Sequence, residues 1–210
     1  MDIEKIIQSL ASKKPVFDLE RDFQKSLKQI IKQELPNSQV DTEYNIQTEL
    51  GSVRVDIRVL DQEKEYFIEL KYKPTNLEVR IGDNDLELKH HGAQDLSCYD
   101  FLYDVSKLEH IIESRLDSTG YAIFITNDER YWLGTENKDA DYYPFRLTDH
   151  REITGHMMWQ NNIERKGNDR QLPINLSKSY TIRWNKYSDL TSLDPIPTNH
   201  AKLKILLITV

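Results

Sequence analysis

Polar and apolar positions along this chain follow two rhythms, and the changes of rhythm mark its elements. Phe23, Leu27, Ile30 and Ile31 recur at helical spacing and predict a helix over residues 19–35. Asp18 is its expected N-cap, and Pro36-Asn37 is its stop. A shorter helix is expected over residues 1–10, with Pro15 closing the lead-in. The rhythm then changes to period two. Residues 40–48 read as a strand, Leu50-Gly51-Ser52 as a turn, and Val53, Val55, Ile57 and Val59 alternate with Arg54, Asp56 and Arg58. Asp61-Gln62-Glu63-Lys64 is a polar turn leading into a return strand over 66–72, and a second hairpin is expected over 77–89 around Gly82-Asp83-Asn84-Asp85. A long helix over 93–116 follows, with Phe101, Val105, Leu108 and Ile112 on one face, and then a buried strand over 121–126. Residues 127–178 read as turns and surface structure, with one short helix near 153–163 and a polar loop at Gly167-Asn168-Asp169. Two late strands are expected, 179–184 and 204–209, with Pro195 and Pro197 in the loop between them. This order predicts a mixed α/β, layered α+β fold in which helices flank a mixed central sheet.

The hairpin over 53–72 concentrates the charged positions that need an explanation. Glu69 and Lys71 are two residues apart and project from one face of the return strand, while Ile68, Leu70 and Tyr72 supply an apolar face. A turn centred between Gln62 and Glu63 pairs Leu60 with Glu65 and therefore sets Asp56 opposite Glu69. Two carboxylates so placed, with Cβ atoms about 4.5–5.5 Å apart, repel each other. Either one takes up a proton or a divalent cation lies between them, and Mg²⁺ favours such oxygen donors. The first strand's charged face, with Arg54, Asp56 and Arg58, lies beside Phe67, a mixture that suits a cleft. On the helical wheel Glu20 falls inside the stripe of Phe23, Leu27, Ile30 and Ile31, so its carboxylate needs a partner on the sheet.

Glu20 on the first long helix, Asp56 on a strand, and Phe67-Ile68-Glu69-Leu70-Lys71 on the next resemble the PD-(D/E)XK, or restriction-endonuclease-like, nuclease superfamily. The resemblance covers residues 18–126 and extends to His91-Gly92-Ala93-Gln94-Asp95, which opens a helix. It departs from the pattern at Val55, where the motif's proline would stand. It implies a restriction-endonuclease-like core in a single nuclease-like domain over 1–210, with residues 127–210 as additional strands and loops. By the same resemblance Asp56, Glu69 and the Leu70 backbone carbonyl would bind Mg²⁺, for which Mn²⁺ would substitute. Glu20 would hold a second ion or position water, and Lys71 would orient or deprotonate the attacking water. Gln94 is a further candidate, because some exonuclease branches carry a helical Gln with a Tyr four residues on, although here Tyr99 follows after five. The implied activity is that of a Mg-dependent phosphodiesterase, an endonuclease-type deoxyribonuclease acting on DNA in restriction, repair or defence, with a homodimer as one form of assembly. The alternative is a catalytically inactive nuclease-fold module for binding or assembly.

Composition narrows the setting. A formal charge of −7 argues against electrostatic coating of nucleic acid, but it leaves room for a local basic surface. Arg165, Lys166, Arg170, Lys178, Arg183 and Lys186 make residues 160–186 the expected place for one, beside an acid-rich stretch over 136–149. Short apolar runs predict no membrane span, the N-terminal residues lack the pattern of a signal peptide, and a single cysteine rules out an intrachain disulfide, so a reducing cytoplasm is the expected setting. Several chemically suggestive residues have simpler readings. Cys98 reads as a small buried residue, His90 and His91 as turn or surface residues, and Trp184 and Tyr187 as core aromatics rather than base-stacking platforms. A solvent-facing hairpin with cross-strand ion pairs would also carry Asp56, Glu69 and Lys71.

Overall fold

In the computed structural model, residues 1–48, 51–161, 163–193 and 200–210 are described. Two helices lead, α1 (Ile3–Lys13) and α2 (Glu20–Glu34). Strands β1 (Gln39–Thr48), β2 (Gly51–Asp61) and β3 (Lys64–Tyr72) follow, and then the small hairpin β4 (Leu77–Ile81) and β5 (Asn84–Leu88). The long helix α3 (Gln94–Glu113) leads to β6 (Ser118–Thr126) and the single-turn α4 (Arg130–Leu133). The remaining strands are β7 (Glu152–Met157), β8 (Ile174–Thr181), β9 (Trp184–Asp189) and β10 (Lys202–Thr209). The central sheet is mixed and six-stranded, in the order β1-β2-β3-β6-β10-β9; only β3 and β6 run parallel, and α3 lies in the connection between them.

The sheet separates two apolar cores. Alternation along β3 and β6 sends Ile68, Leu70, Tyr72, Ile123 and Ile125 to the face covered by α1 and α2. Phe67, Ala122 and Phe124 go to the face covered by α3 and the β7–β8 ribbon. Close packing of α3 depends on Gly120, where a Cβ would stand 3.1 Å from Cβ of Leu108 and 3.2 Å from Cβ of Val210. The ribbon is clamped to α3 by the buried carboxylate of Glu109, which accepts hydrogen bonds from Ser177 N–H (2.7 Å), Lys178 N–H (3.0 Å) and Tyr180 O–H (2.8 Å).

The ribbon of β1 and β2 turns over part-way along its length. Val40, Ile57 and Val59 enter the α2-side core, whereas Ile46 and Val55 enter the α3-side core. Glu43 and Asp56 lie between the pairs Thr42–Ile57 and Tyr44–Val55, and Glu43 takes a left-handed φ of 52° there. At this point β2 parts from β3. Their ladder runs from Asp61–Lys64 to Ile57–Ile68 and stops.

Several expectations need correction. The N-cap of α2 is Leu19, one residue later than Asp18, and no side chain caps the helix; the acids Glu20 and Asp22 complement its first turn instead. Gly51 and Ser52 open β2 rather than forming a turn, and Leu50 lies outside the described residues, as do Pro195 and Pro197. The segment expected as a helix near 153–163 contains β7. Ile153 and Met157 are four apart, which suits either period, and a register shift at Gly155 (φ 68°) separates them. The strand expected over 179–184 straddles the corner between β8 and β9. Residues 127–178 are far from being only surface, since Tyr131, Phe145, Leu147, Ile153, Trp159 and Leu176 complete the α3-side core.

Replacing Glu109 with Ala strips acceptors from two backbone N–H groups and a phenol at a half-buried seam. The expected loss is roughly 2–4 kcal/mol of unfolding free energy by urea titration. A loss under about 0.5 kcal/mol would mean that water replaces the clamp.

Candidate active site at the open edge of β3

Where β2 leaves β3, the N–H groups of Leu70 and Tyr72 lose their strand partner. Two carboxylates replace it. Leu70 N–H donates to Asp56 Oδ2 (2.7 Å), and Tyr72 N–H donates to Glu20 Oε2 (2.8 Å). Asp56 reaches this edge from β2, and its own carbonyl accepts from Gln24 Nε2 on α2 at 3.0 Å. Glu20 reaches it from the first residue of α2. The helix start is fixed from the sheet below, because Tyr72 O–H donates to Phe17 O at 2.7 Å and the Phe17 ring packs edge-on against Tyr72.

Glu69 and Lys71 occupy the other face of β3, under α3. Glu69 is 4 % exposed. Its Oε1 lies 2.8 Å from Lys107 Nζ, and that ammonium also lies 3.1 Å from Asp104 Oδ1 and donates to the Arg54 carbonyl at 3.2 Å. Lys71 Nζ lies 2.9 Å from Asp104 Oδ2. The contacts at Glu69 Oε1 and Asp104 Oδ2 are ion pairs by distance but fall outside hydrogen-bond angles, which leaves both buried oxygens without a directed donor. Four of the five candidate side chains therefore gather around one stretch of β3, which also carries Leu70. Glu69 and Lys71 come from the α3 side, Asp56 comes along the edge, and Glu20 comes from the α2 side. The register matches the expected one over residues 57–61, but Asp56 and Glu69 are not a ladder pair, because the ladder ends one residue earlier. Gln94, the first residue of α3, is half-buried and does not line the cleft that opens over Asp56.

Asp104 and Lys107 belong to this site although neither was expected. The signal was present in the sequence. Asp104 falls between Leu108 and Ile111 on the helical wheel, a charged residue on a buried face, as Glu20 does on α2.

The electrostatics follow from the burial. Burial raises Asp56 from the ordinary aspartate range to about 6; the Leu70 N–H opposes the rise, and the charge of Asp104 adds to it. Burial likewise holds Glu69 well above the usual carboxylate range, reinforced by Asp104 and opposed by Lys107. For Lys71, burial favours the neutral amine but is outweighed by Asp104, Glu20 and Asp100, so the ammonium is held above its ordinary range. Lys107 is pushed up to about 12 in the same way, with Asp104 and Glu69 outweighing burial. Four carboxylates (Glu20, Asp56, Glu69 and Asp104) face two ammonium groups (Lys71 and Lys107), so four minus two leaves a formal surplus of two negative charges. A divalent cation matches that surplus, and oxygen donors are the chemistry Mg²⁺ selects. In the described conformation, however, Glu69 is turned to Lys107, and no group of three or more His, Cys, Asp and Glu among the described residues is arranged to hold a metal.

Over Asp56 lies an open cleft of about 630 Å³. Glu20, Arg21, Gln24, Lys25 and Lys28 form one wall, Thr42 and Glu43 the other, and Asp56 and Leu70 the floor. Other chemically suggestive residues lie elsewhere. Cys98 is buried, and burial pushes its thiol up. His90 and His91 are exposed, and Trp184 and Tyr187 are packed in the two cores.

A raised aspartate pKa means that the folded state holds the proton more tightly than the unfolded state. Its contribution is therefore complete below the unfolded pKa and is lost as pH climbs to about 6. In metal-free buffer the stability difference between wild type and Asp56→Asn should change by roughly 2–3 kcal/mol between pH 4 and 6.5, the wild type losing ground as pH rises. Parallel stability curves from urea melts at each pH would show that Asp56 is solvated. No family model, no curated protein and no solved structure matches this chain.

Proposed function

We propose that the chain is a metal-dependent phosphodiesterase of the restriction-endonuclease-like kind, hydrolysing DNA. The observation that carries this reading is the convergence of Glu20, Asp56, Glu69 and Lys71 on the segment of β3 where β2 departs, beneath a cleft with a basic wall. An ordinary amphipathic hairpin would leave these groups in water. Here Glu69 is buried and Asp56 is bonded to the backbone at a broken ladder.

On this reading Asp56 and Glu69, with the Leu70 carbonyl, would hold Mg²⁺, and Glu20 would serve a second ion. Once bound, the cation would lower the pKa of a water and offset the charge that builds on the phosphate oxygens. Lys71 is firmly protonated where it stands, so its part is to donate to and orient a water or a phosphate oxygen, not to remove a proton. Asp104 sets the position of that ammonium from α3. The backbone N–H groups of Leu70 and Tyr72 keep Asp56 and Glu20 aimed at the cleft before any substrate arrives.

One observation favours the inactive binding or assembly module. Lys107 already pairs with Glu69, as a resident cation in a retired site would. Two measurements separate the readings. With plasmid, linear and single-stranded DNA and Mg²⁺ or Mn²⁺, the wild type should cut, and Asp56→Ala and Lys71→Ala should each lose about a hundredfold or more. Cleavage of equal strength in all three proteins would overturn the assignment. Mn²⁺ at about a hundred times its dissociation constant should stabilise the wild type by about 2.7 kcal/mol, roughly 5–10 °C in Tm. Glu69→Gln should abolish most of that gain, and a flat wild-type response at millimolar Mn²⁺ would support the inactive module.

A further inference from the structure

The basic surface expected over residues 160–186 is partly neutralised, at Lys166, Arg170 and Lys186. Lys166 Nζ lies 2.8 Å from Asp95, Arg170 Nε lies 2.7 Å from Asp100, and Lys186 Nζ lies 3.8 Å from Asp189. The cations of α2 are different. Arg21, Lys25, Lys28 and Lys32 are all the cations this helix has, and none has an ion pair or side-chain hydrogen bond among the described residues. At about 100° per residue they fall within about 60° of one another, and at 1.5 Å per residue the row spans about 16 Å. Three of them form the wall of the cleft above Asp56.

Such a row is a cost to the free protein. Like charges three and four residues apart on a helix destabilise it by about 0.2–0.5 kcal/mol per pair, and this chain has carboxylates to spare at a formal charge of −7. A partner carrying a row of negative charges would offset that cost. A DNA strand carries one phosphate per nucleotide, and a row of about 16 Å reaches a run of about three of them.

We infer that the Arg21–Lys25–Lys28–Lys32 face of α2 is the track that holds the phosphate backbone of one DNA strand and leads it over Asp56. The inference rests on the proposed nuclease reading for where the strand goes, but not for whether it binds. Phosphate contacts position a strand without reading its bases, so the track grips DNA irrespective of sequence.

The test is equilibrium binding of the full chain, in EDTA, to fluorescent single-stranded and duplex oligonucleotides of several sequences across a KCl series. Lys25→Gln/Lys28→Gln should weaken binding about tenfold or more at low salt and reduce the slope of log K against log salt by about two. Sequence should matter little, and the Tm of the free double variant should hold or rise slightly as the repulsion is relieved. Lys178→Gln/Arg183→Gln removes the same charge from the expected basic stretch and should cost less than about twofold. Equal losses in the two double variants, or unchanged affinity in the α2 variant, would overturn the track. So would tighter, α2-dependent binding to anionic phosphatidylserine vesicles than to DNA. Asp56→Asn separates the two readings. DNA binding that depends on α2, in a protein whose wild type never cuts with metal, keeps the track and sinks the nuclease. Metal-dependent cutting that Asp56→Asn abolishes, with DNA affinity indifferent to α2, does the reverse.

Discussion

Two backbone N–H groups, those of Leu70 and Tyr72, set the terms for this site. A strand edge that faces protein rather than a partner strand leaves donors that cost about 1–3 kcal/mol each if unpaired. β2 abandons that edge because its ribbon with β1 rolls from one core to the other at Glu43 and Asp56. The orphaned donors then demand acceptors, and a carboxylate satisfies an N–H more strongly than a neutral group does. Asp56 and Glu20 meet that demand, and in doing so both acids are held in fixed positions at the floor and wall of one cleft.

Beneath that edge the chain buries charge where an apolar contact would fit. Removing one member of a buried ion pair is usually severe, whereas replacing all members with well-packed apolar groups is often harmless. A protein selected for stability alone would have little use for Glu69, Lys71, Asp104 and Lys107 under a helix as apolar as α3, which carries Phe101, Leu102, Val105, Leu108 and Ile111. They lie beside Asp56, a perturbed carboxylate that does line the cleft, and such groups cluster at functional sites more often than packing alone would place them. The single ammonium of Lys107 compensates two acids and a carbonyl at once, so the surrounding charge is only partly balanced.

Much of this was legible in the sequence, and the parts that were not have physical reasons. Strict alternation over Val53–Val59, with a polar turn behind it, fixes the register because a slip of one residue would turn every apolar side chain outward. Glu20 betrayed itself as an acid among helix apolars. The roll-over of the β1–β2 ribbon could not be read, because Val55 and Ile57 keep perfect alternation while entering different cores. β7 hid behind a bulge at Gly155, which removes the middle apolar residue and leaves a spacing of four that suits a helix equally well. Asp104 and Lys107 are hidden by the apolar stripe of α3, because isolated charges that interrupt such a stripe carry no period of their own. The α2 row is visible in the sequence, but its freedom from partners depends on where the acids of distant elements fall.

The lead-in to α2 is held from the far end of the chain. Tyr187 O–H donates to the Lys14 carbonyl at 2.7 Å, and Ser188 O–H donates to the Pro15 carbonyl. Lys14 and Pro15 thus settle against a strand synthesised 173 residues later. β6, the neighbour of β3, likewise waits for β10 to close its other side. On the ribosome the acids are therefore made early and organised late. A nascent chain thus carries Glu20, Asp56, Glu69 and Lys71 well before β9 and β10, the strands that brace the lead-in to α2 and close the far side of β6, have been made.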